Sequence, residues 1–301
     1  MKSGVRHTPV LLKEVIEGLA LREGDIVVDA TFGDGGHARE ICKKIGTSGA
    51  LIGLDLDEEA IQQGGAITKE CAARIFLEKE NFKNMDRVTS LHGFTHVNKI
   101  VFDLGLRSHE IEESGRGFSF RKDEPLLMTF EAHPREETLT ARDIVNFWNE
   151  EDLARAILMY GEERYARRVA RTIVAERKKR TIEKTGDLVA ILEKSIPFRY
   201  QHRRLHFAAK TFQALRIIVN DELENLAIAL KKAGEILTPG GRIAVISFHS
   251  LEDRIVKRFF LELKNQGNFI RITKKPIIQS SEEREKNPRG RSAKLRIIQK
   301  M

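Results

Sequence analysis

The fold of this 301-residue chain is indicated most clearly by one stretch, Ile26-Val27-Val28-Asp29-Ala30-Thr31-Phe32-Gly33-Asp34-Gly35-Gly36-His37. A short β-branched run leads into a turn that glycine makes easily, and a helix is expected from about Ala38 to Ile45. A second buried strand, Ala50 to Leu54, ends at Asp55. Gly33 and Asp55 are 22 positions apart. That spacing is close to the ~20 residues expected between a nucleotide-binding glycine loop and the acid that holds ribose hydroxyls. The stretch therefore predicts a cofactor site.

The composition is typical of a soluble globular protein, with 41% hydrophobic and 32% charged residues. No run approaches the ~18 apolar residues of a membrane span, and no apolar core of a signal peptide is visible, so we expect no membrane segment and a cytoplasmic location. Cys42 and Cys71 lie in helix-like surroundings without metal-ligand spacing. We therefore expect reduced, structural cysteines and no metal site.

The net charge of +8 is concentrated in two segments. Residues 164–180 carry eight basic side chains and one acid, and residues 271–301 carry ten and three, while the remainder of the chain is acidic. Two such segments suggest a polyanionic partner, and nucleic acid is the commonest one. A solvated face explains either segment alone equally well, so both interpretations stay open.

Strands that alternate with helices predict a parallel, doubly wound sheet. Further strands are expected at Ile75–Leu77, Lys99–Leu104 and Arg242–Phe248, and an amphipathic helix over Leu11–Leu19 is expected to cover one edge of the sheet. Ligands of such sheets bind at the carboxyl ends of the strands. The residues expected there are Gly33, Asp55, Phe82 and Asp103.

The last two predicted strands, Phe269–Thr273 and Lys294–Ile298, are basic and edge-like. The turn Asn287-Pro288-Arg289-Gly290 before the second one suggests an antiparallel return. The sheet is therefore expected to be mostly parallel and to end in an antiparallel hairpin.

The alternation of strands and helices breaks between about His109 and Phe212. The clearest helix there, Arg164–Lys178, places apolar residues on one face and arginines on the other. We expect residues 109–212 to form a helical domain inserted between residues 1–108 and 213–301, which form the sheet domain. A helix over Thr211–Ala233 is expected to open the second part of the sheet domain.

The glycine loop alone does not identify its cofactor. The stretch from Gly33 to Ala38 satisfies the G-x-G-x-x-A pattern of dinucleotide binding, so an NAD-dependent oxidoreductase is one hypothesis. Five parallel strands and a terminal hairpin favour a class I methyltransferase that uses S-adenosylmethionine. The turn Asp103-Leu104-Gly105 also lies where amino-group methyltransferases keep their acceptor-handling motif.

Seven motifs, in order along the chain, resemble the bacterial RsmH family, also known as MraW. They begin with Asp29–His37 and Asp103–Gly105, and continue with Arg116–Phe120, Tyr160–Arg164, Thr211–Ile217, Ser247–Arg254 and Asn287–Arg289. The resemblance covers His7 to about Arg296. It implies a Rossmann-like α/β methyltransferase domain with a helical substrate-recognition insert. It further implies S-adenosylmethionine-dependent methylation of N4 of a cytidine in the decoding region of 16S ribosomal RNA, in the small ribosomal subunit.

The resemblance also implies a set of cofactor contacts, which add to Gly33 of the loop. They are Gly35, Gly36, His37, Asp55, Phe82, Asp103 and Glu110. Asp103 is the carboxylate expected either to contact the cofactor or to accept a hydrogen bond from the target amino group, although it could instead only cap the turn. His249 is the second candidate catalytic residue and is expected to face the acceptor pocket.

Four residues depart from the family pattern near the expected acceptor site. Arg107 replaces a serine of the family motif D-L-G-V-S-S, and Glu110 stands where the family has a glutamine after that motif. Leu127 and Thr129 replace the acid and the arginine of the family motif P-L-D-M-R-M. A carboxylate cannot donate a hydrogen bond as an amide does. The alternative function is therefore a divergent paralogue that binds cofactor or RNA with an altered acceptor or little turnover.

Two other features have local explanations. Ser247, His249 and Asp253 could suggest a hydrolase, but no G-x-S-x-G elbow is present and Ser250 with Asp253 matches a helix-capping pair. Phe118 and Phe120 could stack on an unstacked base or could form local core. The sequence leaves the oligomeric state open, with a dimer among the options.

Overall fold

The computed structural model describes residues 9–107, 111, 113–202 and 205–301. They form two compact units, one from the residues up to Gly105 together with Leu223–Met301, and one from Leu106–Glu222. The first unit contains the sheet and the second is helical. The return to the sheet unit lies about ten residues later than the sequence suggested, because the helix predicted over Thr211–Ala233 is in fact two helices.

The sheet contains seven strands in the order β3-β2-β1-β4-β5-β7-β6. The strands β1 to β5 run parallel, β7 pairs antiparallel with β5, and β6 pairs antiparallel with β7. This topology confirms the predicted mostly parallel sheet with an antiparallel end. The strands are β1 (Ile26–Asp29), β2 (Ala50–Asp55), β3 (Arg74–Lys79), β4 (Val97–Asp103), β5 (Leu237–Ser247), β6 (Phe269–Arg271) and β7 (Lys294–Lys300).

The helices follow in chain order. They are α1 (Leu12–Leu19), α2 (Gly36–Ile45), α3 (Glu58–Glu70), α4 (Met85–Leu91), α5 (Ala141–Phe147), α6 (Glu150–Gly161), α7 (Ala166–Arg177), α8 (Thr185–Ser195), α9 (Phe198–Gln201), α10 (Ala209–Val219), α11 (Glu222–Ile236), α12 (Ser250–Asn265) and α13 (Ser281–Lys286). None of the helices in the described ranges is both long and apolar enough to cross a membrane.

Apolar cores cover both faces of the sheet. The core on one face takes residues from α1 and α2, and the core on the other takes residues from α4, α11 and α12. The expectation that α1 covers an edge is wrong, since Gly18 of α1 packs directly against Ile297 of β7. The strand β7 is likewise not an edge, because it lies between β5 and β6 and buries Leu295, Ile297 and Ile298.

The helical unit has a core of its own. The apolar face of α7 buries Val169, Ala170 and Ile173, as its periodicity predicts. The break between α10 and α11 has a clear cause in Asn220. Its side chain accepts a hydrogen bond from the Phe130 amide and donates one to the Met128 carbonyl, both at 2.8 Å. The next residue, Asp221, has a left-handed φ of 48°, so the helix cannot continue through it.

The two cysteines are bonded to each other, so the prediction of reduced thiols is wrong. Cys42 lies on α2 and Cys71 directly follows α3, and their Cα atoms are 5.5 Å apart. That separation lies within the range a disulfide spans. The bond joins α2 to the end of α3, and the segment between the cysteines, which have a sequence separation of 29, carries no pattern that reveals it.

Candidate functional site

The glycine loop between β1 and α2 leaves no room for side chains. Gly33 and Gly35 have left-handed φ angles of 54° and 67°. A Cβ on Gly35 would overlap Ile67 of α3, and a Cβ on Gly36 would overlap Pro9. Glycine is therefore required both by the backbone conformation and by the surrounding packing. The loop is a rigid turn that presents backbone atoms at the carboxyl end of β1.

Asp55, at the end of β2, is held against this loop. One carboxyl oxygen accepts the Gly33 amide at 2.8 Å, and the other accepts the Asp57 amide at 2.8 Å. Asp57 in turn accepts the Glu59 amide at the start of α3. Asp55 is half-buried at the carboxyl end of β2, and its binding of ribose hydroxyls stays a prediction. The structure thus brings together Gly33 and Asp55, as the spacing predicted.

The buried Asp29 and the half-buried Thr31 link β1 to β4. Asp29 is 2% exposed and accepts the Thr31 amide at 3.3 Å, and the Thr31 hydroxyl accepts the Asp103 amide at 2.6 Å. Neither Asp29 nor Thr31 was among the predicted site residues. The sequence could have identified Asp29 as a candidate site residue, because Asp29 ends β1 as Asp55 ends β2 and Asp103 ends β4.

Two of the strand-ending acids have pKa values near neutral pH. Burial raises the pKa of Asp29 to about 7, against the hydrogen bond from Thr31 and with a further contribution from the charge of Asp55. Burial also raises the pKa of Asp103 to about 7, with added repulsion from Asp29 and Glu252 and an opposing hydrogen bond from the Gly105 backbone. Such values suit groups that exchange a proton during a reaction.

His37 faces Asp103 across the start of α2. Its Nδ1 lies 3.7 Å from Asp103 Oδ2. Burial lowers the pKa of His37 to about 4, against a hydrogen bond with the Val10 backbone, so the ring is neutral at pH 7. Among the described residues, neither His37 Nε2 nor Asp103 Oδ1 has a hydrogen-bond partner, although both atoms are buried. Buried polar atoms without partners indicate a ligand site, and these two fit the polar groups of S-adenosylmethionine.

The remaining predicted cofactor contacts are placed less decisively. Phe82 opens a 3-10 turn after β3, is half-buried, and meets the Phe102 ring edge-on at 5.9 Å. It is thus held at the carboxyl end of the sheet, and its contact with a cofactor stays a prediction. Glu110 lies outside the described residues.

His249 is the N-cap residue of α12 and follows the last residue of β5 by two positions. Its Nδ1 accepts the Glu252 amide at 3.4 Å, and the Glu252 carboxylate accepts the His249 amide at 3.3 Å. His249 and Glu252 therefore form the capping box of this helix, and the predicted pair of Ser250 and Asp253 is wrong. Asp253 instead accepts a hydrogen bond from Arg296 of β7 at 2.7 Å. A direct role for His249 in catalysis stays a prediction.

The two phenylalanines considered for base stacking, Phe118 and Phe120, pack within the helical unit. Phe118 is 8% exposed and stacks on Phe130, and Phe120 stacks on His206 with ring centres 4.4 Å apart. Thr129, one of the departures from the family pattern, is 2% exposed, and its hydroxyl donates a hydrogen bond to the Glu131 carbonyl at 3.0 Å.

The fold and the site together define a class I S-adenosylmethionine-dependent methyltransferase. The sheet has the strand order of this class, with an antiparallel strand inserted beside β5, whereas a dinucleotide-binding dehydrogenase sheet has the order 3-2-1-4-5-6. The NAD hypothesis therefore fails on topology. The glycine loop after β1 and the acids at the ends of β2 and β4 occupy the carboxyl edge of this sheet.

The chain belongs to the MraW methylase family, whose model matches residues 4–301. It is 40% identical over 310 residues to ribosomal RNA small subunit methyltransferase H of Brevibacillus brevis, covering 98% of each chain. The proteins of the same name from Symbiobacterium thermophilum and Clostridium botulinum are each 42% identical. They match 98% of this chain and 96% and 99% of their own lengths, respectively. These matches confirm the resemblance inferred from the motifs.

Proposed function

We propose that the protein transfers a methyl group from S-adenosylmethionine to N4 of a cytidine in 16S ribosomal RNA of the small ribosomal subunit, in the cytoplasm. The proposal is supported by the family membership and by the names of the relatives. One structural observation carries the chemistry. Asp103, at the end of β4, has a buried carboxyl oxygen without a partner among the described residues and a pKa of about 7.

The cofactor supplies a methyl group activated by the positive charge of a sulfonium. The amino group of cytosine is a poor nucleophile because its lone pair is delocalised into the ring. The Asp103 carboxylate can accept a hydrogen bond from this amino group, orient its lone pair and take up the proton that leaves as the nitrogen–carbon bond forms. A pKa of about 7 leaves Asp103 partly ionised at neutral pH and able to accept that proton.

The surroundings of Asp103 fix its position. Its amide donates to Thr31, and the next amide, of Leu104, donates to the Ile246 carbonyl at 3.1 Å. His37 beside it is neutral at pH 7 and adds no positive charge where a sulfonium would bind. The backbone around the carboxylate is thus held before any ligand binds, which lowers the reorganisation that the reaction requires.

The helical unit is the proposed RNA-binding part. The exposed face of α7 carries Arg167, Arg168 and Arg171 above the buried residues of the same helix. Arg171 lies 3.5 Å from Glu150, an ion pair with both side chains largely in solvent. Exposed pairs of this kind contribute little to stability, so the arginines can exchange such contacts for RNA phosphates. This supports substrate recognition as the function of the insert.

A divergent paralogue is the second candidate function. Its specific support is the pair Leu127 and Thr129, which removes an acid and an arginine from a segment fixed by backbone hydrogen bonds, from Leu126 to Glu183 and from Met128 to Arg116. These hydrogen bonds fix the backbone of the segment. Movement of the segment therefore does not bring other charged side chains into the positions of the missing acid and arginine.

The decisive experiment is methyl transfer from labelled S-adenosylmethionine to small subunits of a methylation-deficient strain. Nucleoside mass spectrometry of the recovered rRNA then identifies the modified base. The proposed function requires N4-methylcytidine in stoichiometric amounts. Cofactor or RNA binding without N4-methylcytidine would establish the paralogue instead. Calorimetry that shows no cofactor binding would overturn the proposed methyl transfer, and a protein that binds neither cofactor nor RNA would overturn both.

A further inference from the structure

A basic cavity lies at the end of β5 in the sheet unit. Its volume is about 250 Å³, and one wall is the start of α12. Three of the side chains that line it are cationic, Arg284, Arg291 and Lys294, and none of the described lining residues is acidic. The other lining residues are Phe248, His249, Ser250, Ile278, Ser292 and Ala293. Apart from His249, whose catalytic role stays a prediction, the lining contains none of the residues assigned above to the cofactor site or to methyl transfer.

The segment that carries the arginines is firmly anchored. Gly290 is buried, and a Cβ there would overlap Gln279 and come within 2.8 Å of Val10. The close packing of Gly290 fixes the chain at the position next to Arg291. Glu283 accepts the Leu11 amide at 2.7 Å, which fixes α13 at the residue before Arg284. The turn Asn287–Gly290 thus holds Arg291 in place, and the hydrogen bond to Glu283 holds the part of α13 where Arg284 lies.

The third cation is held by a carboxylate. Lys294 Nζ lies 3.2 Å from Asp253, whose carboxyl group also receives two hydrogen bonds from Arg296. Because Lys294 and Arg296 share the single carboxylate of Asp253, these three side chains together carry a net positive charge. The helix α12 begins at Ser250, so the positive end of a 16-residue helix opens on the same cavity.

The cavity adjoins the Asp103-Leu104-Gly105 turn. A Cβ on Gly105 would come within 2.7 Å of the Phe248 ring, and the same ring lines the cavity. Phe248 therefore lies between the cavity and Gly105, which follows Asp103 by two positions. A group bound in the cavity lies one aromatic side chain away from the end of β4, where the target amino group is expected.

We propose that this cavity binds a backbone phosphate of the RNA substrate, next to the nucleotide that is methylated. The proposal rests on the proposed function, since it names how that substrate is positioned. Guanidinium groups match phosphate oxygens through paired N–H donors, and a lysine adds a compact charge. A cavity of about 250 Å³ accommodates a phosphodiester group and is small for a larger organic ligand.

The test compares two double variants of equal net charge. Arg284→Gln/Arg291→Gln removes two cations of the cavity, and the control Lys257→Gln/Lys286→Gln removes two exposed cations of α12 and α13 that do not line it. Binding of an rRNA fragment is measured as a function of salt by filter retention, and methylation of small subunits gives kcat and KM. Circular dichroism and cofactor calorimetry show whether each variant is folded.

The cavity variant is expected to raise the dissociation constant and KM for RNA about tenfold or more, with cofactor affinity and thermal stability unchanged. The slope of log affinity against log salt should fall by about 0.7 for each phosphate interaction that the substitutions remove, and by more than in the control. Conversion to Arg284→Lys/Arg291→Lys should restore most of the affinity.

Equal KM and equal salt slope in the cavity and control variants would overturn the proposal. So would stabilisation of the wild-type protein by inorganic phosphate with no difference in RNA binding, since the cavity would then serve a small anion. The RNA-binding measurement does not require turnover. Absence of methyl transfer by the wild-type protein would therefore count against the proposed function while leaving this test intact.

Discussion

His37 Nδ1 lies 3.7 Å from Asp103 Oδ2, while the other nitrogen of the ring and the other oxygen of the carboxyl are buried without a described partner. The pKa of His37 is about 4 and that of Asp103 is about 7. Near neutral pH, a proton added to this pair therefore goes to Asp103 rather than to His37. This order supports the proposal that the Asp103 carboxylate accepts the proton.

The first prediction follows from that assignment. Asp103→Asn keeps the shape of the side chain but cannot take up a proton, so kcat should fall by about 10²- to 10⁴-fold. Steady-state methylation of small subunits measures the effect. The surface variant Glu282→Gln, on α13, should keep wild-type kcat. An Asp103→Asn enzyme within a few-fold of wild-type kcat would show that the proton leaves by another route.

Cofactor affinity should depend on pH near neutrality. The raised pKa values of Asp29 and Asp103 mean that both acids are mostly protonated below pH 7. A bound sulfonium favours their ionised forms, so binding should release protons below pH 7 and affinity should rise from pH 6 to pH 8. His37, with a pKa of about 4, contributes no proton in this range.

Calorimetry in two buffers of different ionisation enthalpy measures the released protons. The variant Asp29→Asn should release fewer protons than the wild-type protein and show a flatter pH dependence. Binding heats that do not depend on the buffer at pH 6.5 would contradict the linkage.

The packing of Gly35 gives a third prediction. Gly35→Ala introduces a Cβ that overlaps Ile67 Cδ1 in a backbone with φ of 67°. It should destabilise the protein by about 1–3 kcal/mol and weaken cofactor binding. Urea unfolding and cofactor titration measure the two effects.

Two further substitutions separate the cost of the left-handed backbone at position 35 from the cost of the steric overlap with Ile67. Ile67→Val removes the clashing methyl group, so in the Gly35→Ala background it should recover part of the loss. Gly65→Ala, where nothing lies within 4 Å of the added carbon, should be neutral or stabilising by up to about 1 kcal/mol. Equal losses at positions 35 and 65 would argue against the packing of the loop described above.

The disulfide gives the fourth prediction. A disulfide stabilises a protein mainly by restricting the unfolded chain. Cys42 and Cys71 close a loop with a sequence separation of 29, so reduction should lower the free energy of unfolding by about 3–4 kcal/mol. Urea unfolding with and without a phosphine reductant measures this loss. The double variant Cys42→Ala/Cys71→Ala should be insensitive to the reductant, and an equally insensitive wild-type protein would mean that the thiols are free in solution.

The parts of the fold that could be predicted from the sequence depend on local pattern. The strands β1, β2 and β4 are short apolar runs that end in Asp29, Asp55 and Asp103, and the loop at Gly33 is encoded within a few residues. Hydrophobic period and turn chemistry are properties of such short windows. For the same reason the apolar face of α7 could be identified without any tertiary information.

The features that could not be predicted depend on contacts between distant segments. The break at Asn220 results from hydrogen bonds to residues 128 and 130, about 90 positions earlier. The capping pair of α12 could not be chosen from the sequence, because both His249 with Glu252 and Ser250 with Asp253 have capping spacing. The choice between them depends on Arg296 of β7, which binds Asp253 from another strand.

The hydrogen bond between Leu11 and Glu283 joins residues 272 positions apart. Pro9 and Val10, which pack beside Gly36 and Gly290, are therefore synthesised long before the segment that supports them. Contacts of such high sequence separation form late and slow the folding of a domain. During translation, the glycine loop would thus lack its full support until residue 283 has emerged from the ribosome, and the nascent chain should acquire cofactor affinity only near the end of its synthesis.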